Sequence, residues 1–160
     1  MTINVGDKIP SASLRLKTDS GIDEITTDDI FSGKKVALFA VPGAFTPTCS
    51  AQHLPGFVNN ADALKAKGVD TIACVAVNDA FVMGAWGDAQ KVGDKVLMLA
   101  DGNGDFTKAI GMEMDGSGFG LGERSKRYSM YVEDGVVKQL NIEPAGSFGE
   151  SSAETLLEQI

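Results

Sequence analysis

Cysteine is scarce in this chain of 160 residues. There are two, Cys49 and Cys74, beside one histidine, His53, and one tryptophan, Trp86. A small secreted domain stapled by disulfides carries more cysteines in fewer residues, so that class is removed. A tetrahedral zinc site draws on three or four Cys, His or carboxylate ligands at close spacing, and Cys49, His53 and Cys74 do not supply one; no metal is expected. Basic residues are also few, 14 against 22 acidic for a formal charge of −8, and their densest spots are Lys34-Lys35 and Arg124-Ser125-Lys126-Arg127. A nucleic-acid binder carries a positive stripe, so no such partner is expected. The longest apolar run, Val36-Ala-Leu-Phe-Ala-Val-Pro42, ends well short of the ~20 residues of a membrane-spanning helix.

Other signals are missing too. Met1-Thr-Ile-Asn-Val-Gly-Asp7 has neither the charged start nor the apolar stretch of a secretory signal, and no Asn-x-Ser/Thr triplet occurs. The expectation is a soluble, cytoplasmic protein. No linker or repeat interrupts the pattern, and the length suits one domain over residues 1–160.

Short apolar runs alternate with amphipathic ones. Val36 to Val41, Val69 to Val77 and Val96 to Ala100 read as strands. In the second, Ile72, Cys74 and Ala76 point one way and Ala73, Val75 and Val77 the other. Strands apolar on both faces sit in the middle of a sheet covered by helices. From Cys49 to Lys67, Leu54, Phe57, Val58, Ala61 and Leu64 follow helical spacing, with a kink or break expected at Pro55. Asn78 or Asp79 can cap a helix whose buried face is read as Phe81, Val82, Ala85 and Trp86, and Asp105 to Ile110 is a short third helix. Ser151 and Glu154 read as the capping box of a last helix that buries Ala153, Leu156, Leu157 and Ile160. Arg127 to Val132 and Val136 to Leu140 read as a hairpin turned by Asp134-Gly135. The periodicity implies an α/β fold with a central mixed sheet flanked by helices.

The segment Pro42-Gly-Ala-Phe-Thr-Pro-Thr-Cys49 follows a buried strand and opens a helix. A helix N-terminus offers unpaired N–H groups and the positive end of the macrodipole, which favour a thiolate. Pro42 and Pro47 stiffen the loop, Gly43 lets it turn tightly, and the Thr46 hydroxyl can bond the sulfur or an incoming oxygen. The alternative on position alone is a buried, inert cysteine in a helix-initiating turn.

The wording of the segment resembles the Pro-x-x-x-Thr-x-x-Cys signature of peroxiredoxins. The longer string Val41 to Ser50 with His53-Leu-Pro-Gly-Phe57 is similar to their type II, peroxiredoxin-five-like, subfamily. Val5-Gly-Asp-Lys-Ile-Pro10, Val77-Asn-Asp-Ala-Phe-Val82, Trp86-Gly87 and Lys126-Arg-Tyr-Ser-Met130 extend the resemblance over nearly the whole chain. It implies a thioredoxin-like fold and a thiol peroxidase with no cofactor, reducing hydrogen peroxide and small alkyl hydroperoxides. By the same resemblance Cys49 is the peroxidatic cysteine, shielded by Pro42, with Thr46 orienting the peroxide and Arg127 completing the pocket. His53 matches a residue outside the core set and is read as support. A homodimer packed near the active-site loop is implied as well.

The sulfenic acid formed at Cys49 needs a second thiol. Some type II members carry one near the C-terminus, but Pro144-Ala-Gly-Ser-Phe-Gly-Glu-Ser-Ser152 has none. Cys74, inside an expected buried strand, is read as structural, with a slow or conditional resolving role as the alternative. The resemblance then implies glutathione with glutaredoxin, or thioredoxin, as external reductant.

Rival readings are fewer. A cysteine hydrolase needs His facing its nucleophile and oriented by a third group, and His53 four residues along the same helix fits that poorly. A redox sensor or adaptor would use Cys49 to report oxidant to a partner protein, yet would not require Thr46 and Arg127. The run Gly116-Ser-Gly-Phe-Gly-Leu-Gly122 matches no phosphate-loop pattern and is read as a mobile loop beside the pocket, with Phe119 as an apolar wall.

Overall fold

The structure is a computed structural model that describes residues 2–160. Strands β1 (Ser13–Thr18) and β2 (Gly21–Thr26) form a hairpin, and α1 (Thr27–Phe31) leads into β3 (Lys35–Ala40). A π-helical turn (Cys49–His53), α2 (Leu54–Asn59) and α3 (Ala61–Ala66) connect β3 to β4 (Thr71–Ala76). Then come α4 (Ala80–Ala89), β5 (Leu97–Ala100) and α5 (Asp105–Ala109). A small ribbon of β6 (Glu113–Asp115) and β7 (Glu123–Ser125) precedes β8 (Tyr128–Glu133), β9 (Val136–Ile142) and α6 (Ala153–Gln159).

Seven strands share one sheet in the order β2-β1-β5-β4-β3-β8-β9. The central β3, β4 and β5 run parallel, while β1, β2, β8 and β9 are antiparallel to their neighbours, which makes the sheet mixed. Its two faces bury separate apolar clusters. Phe39, Cys74 and Ala76 pack with Leu54, Phe57, Leu64, Trp86 and Leu156 on one side, and Leu38, Ala73 and Val75 with Phe31, Phe106 and Met130 on the other. The alternation read in the second apolar run therefore holds. The helix-covered mixed sheet is the thioredoxin-like α/β fold.

The expected long helix is three pieces, for two local reasons. Pro55 has no N–H, and directly before it the ladder slips: Leu54 N–H donates to the Cys49 carbonyl, five residues back. The break itself lies five residues past Pro55. Asn60 (φ −100°, ψ 9°) leaves the helical region and donates its side-chain amide to Gly56 O at 2.8 Å. On α4 the buried residues are Ala80, Met83, Trp86 and Gly87, whereas Phe81 is 68% exposed, so the expected Phe81–Trp86 face is wrong. Asp79, not Asn78, caps α4, through Val82 N–H at 2.9 Å. The last helix is capped by Ser152, which accepts from Thr155 N–H at 3.2 Å, and the expected Ser151–Glu154 box is absent because Ser151 is committed elsewhere.

Trp86 is the internal brace of the cysteine turn. It is fully buried, and its indole N–H donates to Ser50 Oγ at 3.0 Å, one residue past Cys49. Trp86→Phe keeps an aromatic ring in the core but loses this bond and part of the indole's volume. Chemical denaturation should show a loss of roughly 1–2 kcal/mol, with faster exchange of the backbone amides of Cys49 to His53.

Candidate active site

The Pro42–Cys49 loop leaves the end of β3 and is pinned by its neighbours. Ala44 N–H donates to Asn78 Oδ1 at 2.9 Å, which tethers the loop to the start of α4. Arg124 donates to Leu121 O at 2.9 Å and to Pro42 O at 3.3 Å, joining the loop to the glycine-rich segment. Gly43 is favoured by closeness rather than by a left-handed turn: a Cβ there would lie 2.7 Å from Arg124 Nη1, the far end of a flexible side chain, and 3.3 Å from Thr46 Cγ2. The left-handed residue in the loop is Phe45, at φ 64°.

Thr46 opens the helical turn. Its carbonyl accepts from Ser50 N–H at 2.9 Å, so the N–H groups of Thr48 and Cys49 precede the first helical bond. Its hydroxyl donates to Gly43 O at 2.7 Å. Of the two roles read for the hydroxyl, the bond to the sulfur is not made, and the oxygen keeps its lone pairs as an acceptor for an incoming O–H.

Arg127 arrives from the opposite strand. The β3–β8 register pairs Ala40 with Tyr128, which sets Arg127 level with the residues leading into the cysteine loop. Its Nη2 donates to Cys49 Sγ at 3.0 Å, and its Nη1 donates to His53 Nδ1 at 2.9 Å. A guanidinium only donates, so Nδ1 must be the unprotonated nitrogen. His53 Nε2–H donates to the Ser151 carbonyl at 2.9 Å, which fixes the neutral tautomer. Burial, and then the Arg127 charge, push the His53 pKa from 6.5 down to about 3. The ring packs against Phe39, Phe57 and Phe148, at centroid distances of 4.9, 5.7 and 5.1 Å. Phe148 also lies 5.8 Å from the Arg127 guanidinium carbon. His53 makes no bond to the sulfur; it holds the arginine.

Cys49 is 0% exposed, and its neighbours Pro42, Thr48 and Arg127 face a cavity of about 690 Å³. Met114, Phe119, Leu121, Ile142 and Pro144 give that cavity apolar walls, and Phe119 stands 89% exposed at it, as expected. A charged donor thus sits on a sulfur at one side of an apolar mouth, an arrangement suited to a sulfur nucleophile and a small polar substrate.

Cys74 is equally buried but differently surrounded. It occupies β4 between Phe39 of β3 and Met98 of β5. Burial first, and then the nearby Cys49, push its thiol well above the usual range. Both cysteines are free. Arg124, Phe148, Glu143 and Ser151 were missed in the sequence. The basic spot Arg124–Arg127 was a signal for the first; Glu143 and Phe148 lie in a stretch with no motif, and Ser151 was read only as a helix cap.

A neutral buried His53 makes stability acid-sensitive. The unfolded chain binds its proton near pH 6.5 and the folded chain near 3, so below 6.5 the unfolded state holds more protons. The stabilisation is complete above pH 6.5 and lost as pH falls towards 3. Urea unfolding between pH 6.5 and 5, where carboxylates remain ionised, should show a slope approaching about 1.4 kcal/mol per pH unit. His53→Gln should flatten it.

The sequence profile of the Redoxin family matches residues 4–157. Among curated proteins, the chain is 54% identical over 164 residues to the chloroplastic peroxiredoxin-2E-2 of Oryza sativa subsp. japonica, covering 99% of this chain and 73% of that protein. It is 50% identical over 163 residues to the chloroplastic peroxiredoxin-2E of Arabidopsis thaliana, covering 99% and 70%. Among solved structures, reduced Prx3 of Vibrio vulnificus in complex with hydrogen peroxide superposes with a TM-score of 0.95 at 56% identity, over 99% of each chain. The cytoplasmic expectation is overturned, because these two plant relatives are chloroplastic proteins. Family, fold and cysteine loop agree: the chain belongs to the redoxin family, among its type II peroxiredoxins, and is a thiol peroxidase.

Proposed function

We propose that Cys49 is the peroxidatic cysteine of an enzyme that reduces hydrogen peroxide and small alkyl hydroperoxides and is recycled by an external thiol. The observation that carries this reading is the Arg127 guanidinium, 3.0 Å from Cys49 Sγ and locked from behind by His53. The thiolate attacks one peroxide oxygen in line with the O–O bond. A S–O bond forms as the O–O bond breaks, sulfur loses two electrons, and the distal oxygen leaves as hydroxide or alkoxide and takes up a proton. Arg127 and the free N–H of Cys49 meet the charge that builds on the two oxygens. Thr46 Oγ accepts the peroxide O–H, and Pro42 borders the cavity and limits water at the sulfur. The peroxide complex of the Vibrio vulnificus relative supports hydrogen peroxide as substrate, and the apolar walls at Phe119 and Ile142 suit an alkyl group.

Recycling follows from the two thiols being unequal. Attack by an external thiol on the Cys49 sulfenic acid releases water and forms a mixed disulfide. A second thiol then frees Cys49, so that one peroxide and two thiols give an alcohol or water, one water and one disulfide. Cys74 is poorly suited to the first attack, since its thiolate is disfavoured in the sheet interior. Glutathione with glutaredoxin, or thioredoxin, is the reductant in this reading. A homodimer belongs to it as well, supported by the exposed Phe45 and Phe81 on the loop and helix joined through Asn78.

Peroxide consumption should be catalytic with glutathione plus glutaredoxin, or with thioredoxin. Cys49→Ser should abolish it, and Arg127→Lys, which keeps charge but not the fork, should lower kcat/KM by about 10²-fold. Cys74→Ser should leave turnover unchanged; its collapse would make Cys74 the resolving thiol. Wild-type protein that reacts once and turns over with no donor would leave a redox sensor in place of an enzyme.

A further inference from the structure

Glu143 is a buried carboxylate, 6% exposed, that the peroxide chemistry does not use. It follows the last strand directly, and its backbone N–H donates to Arg127 O at 3.0 Å. Its Oε2 accepts three hydrogen bonds: from Gly149 N–H at 2.8 Å, from Ser151 N–H at 2.7 Å and from the Ser151 hydroxyl at 2.7 Å. One carboxylate oxygen therefore organises the segment between β9 and α6. The product of that organisation is the placement of a single carbonyl, Ser151 O, on His53 Nε2–H. The same segment seats Phe148 against both His53 and Arg127.

We propose that Glu143 is a positioning residue for the peroxide-reducing site: by fixing the Ser151 carbonyl it holds His53 in the Nε2–H tautomer, leaves Nδ1 as an acceptor, and so keeps the Arg127 guanidinium on the Cys49 sulfur. The proposal rests on the reading of Cys49 as the peroxidatic residue. Each link is directional. If Ser151 O moves away, Nε2 loses its acceptor and the imidazole can exchange to the Nδ1–H form. That form presents a donor to a guanidinium that has only donors, and the Arg127–His53 bond is then lost. Arg127 would retain its charge but not its aim. Burial alone would push the Glu143 carboxyl up; the bonds from Ser151 and Gly149 outweigh it and hold the pKa below the usual value, so the anion is the resident form. The Glu143 charge is felt by His53, whose pKa it acts to raise against the larger effects of burial and Arg127.

His53 is the chain's only histidine, so its imidazole can be read without ambiguity by long-range ¹H–¹⁵N NMR. The wild type should show a fixed Nε2–H tautomer. Glu143→Ala should average the tautomers and slow oxidation of Cys49 by hydrogen peroxide roughly tenfold, a part of the ~10²-fold that a 1 Å misplacement can cost. Glu143→Gln, which keeps an accepting oxygen, should restore most of both. Ser152→Ala removes the α6 cap in the same segment and should lower Tm while leaving tautomer and rate unchanged. Should Glu143→Ala fail to fold, Glu143→Asp, one methylene shorter, carries the same test. A variant that lowers Tm but leaves the His53 tautomer and the Cys49 oxidation rate at wild-type values overturns the proposal. A wild-type Cys49 that reacts with peroxide no faster than a free thiol would instead defeat the peroxidatic reading, and the tautomer would still report on the relay.

Discussion

One guanidinium shared between two acceptors governs this structure. Arg127 gives one nitrogen to Cys49 Sγ and another to His53 Nδ1. A protonated imidazole would face Arg127 with a second positive charge, so the buried ring must stay neutral; burial and the arginine together keep it so. The arginine in turn needs an anchor behind it, because a long side chain held only at the sulfur would retain its rotamer freedom. His53 is that anchor, and the aromatic shell of Phe39, Phe57 and Phe148 leaves the ring little room to turn.

The fold delivers the pair from opposite directions. Cys49 comes from the end of β3, a central strand buried on both faces, and Arg127 precedes β8, the antiparallel neighbour of that same strand. A slip of β8 by one residue would turn Arg127 to the other face of the sheet. Register there is set by burial: Tyr128, Met130 and Val132 pack into one cluster with Leu38 and Val36 of β3. The geometry at the sulfur is thus a consequence of core packing on the far side of the sheet. Tyr128 is fully buried, and its hydroxyl has no hydrogen-bond partner within the described protein atoms. A polar atom is retained there beside the residue that must not move.

The sequence made the centre of the molecule legible because the centre obeys local rules. Strands apolar on both faces, a proline-flanked cysteine after a strand, and Asp134-Gly135 with φ 48° and 78° at a hairpin turn carry their structure in their spelling. The edges were not legible. The β1–β2 hairpin is half exposed and its residues alternate too weakly to announce it. Phe81 reads as sharing the inward face of Trp86, whereas the helix phase is set by Ala80, Met83 and Trp86. Within the site, Cys49, Arg127 and Thr46 were identifiable by motif, yet the atom to which Thr46 gives its proton was not. The contact between His53 and Ser151 spans 98 residues and runs through a backbone carbonyl, which any residue type supplies. Sequence signals side chains; it says little about where a carbonyl must be.

Two cysteines, both fully buried and both free, end in opposite chemical circumstances, and the contrast shows what the fold adds to composition. Cys49 sits where backbone N–H groups are still unpaired and a cation is fastened to its sulfur. Cys74 sits between two paired strands, where burial raises the cost of its anion and the nearby Cys49 raises it further. At Cys74 the Arg127 charge works against both, but it is the smallest of the three influences and does not prevail. Solvent exposure therefore does not distinguish the two thiols, as both lack it. What separates them is whether a donor has been placed on the sulfur, and that placement runs from the sulfur through Arg127 and His53 to the carbonyl of Ser151.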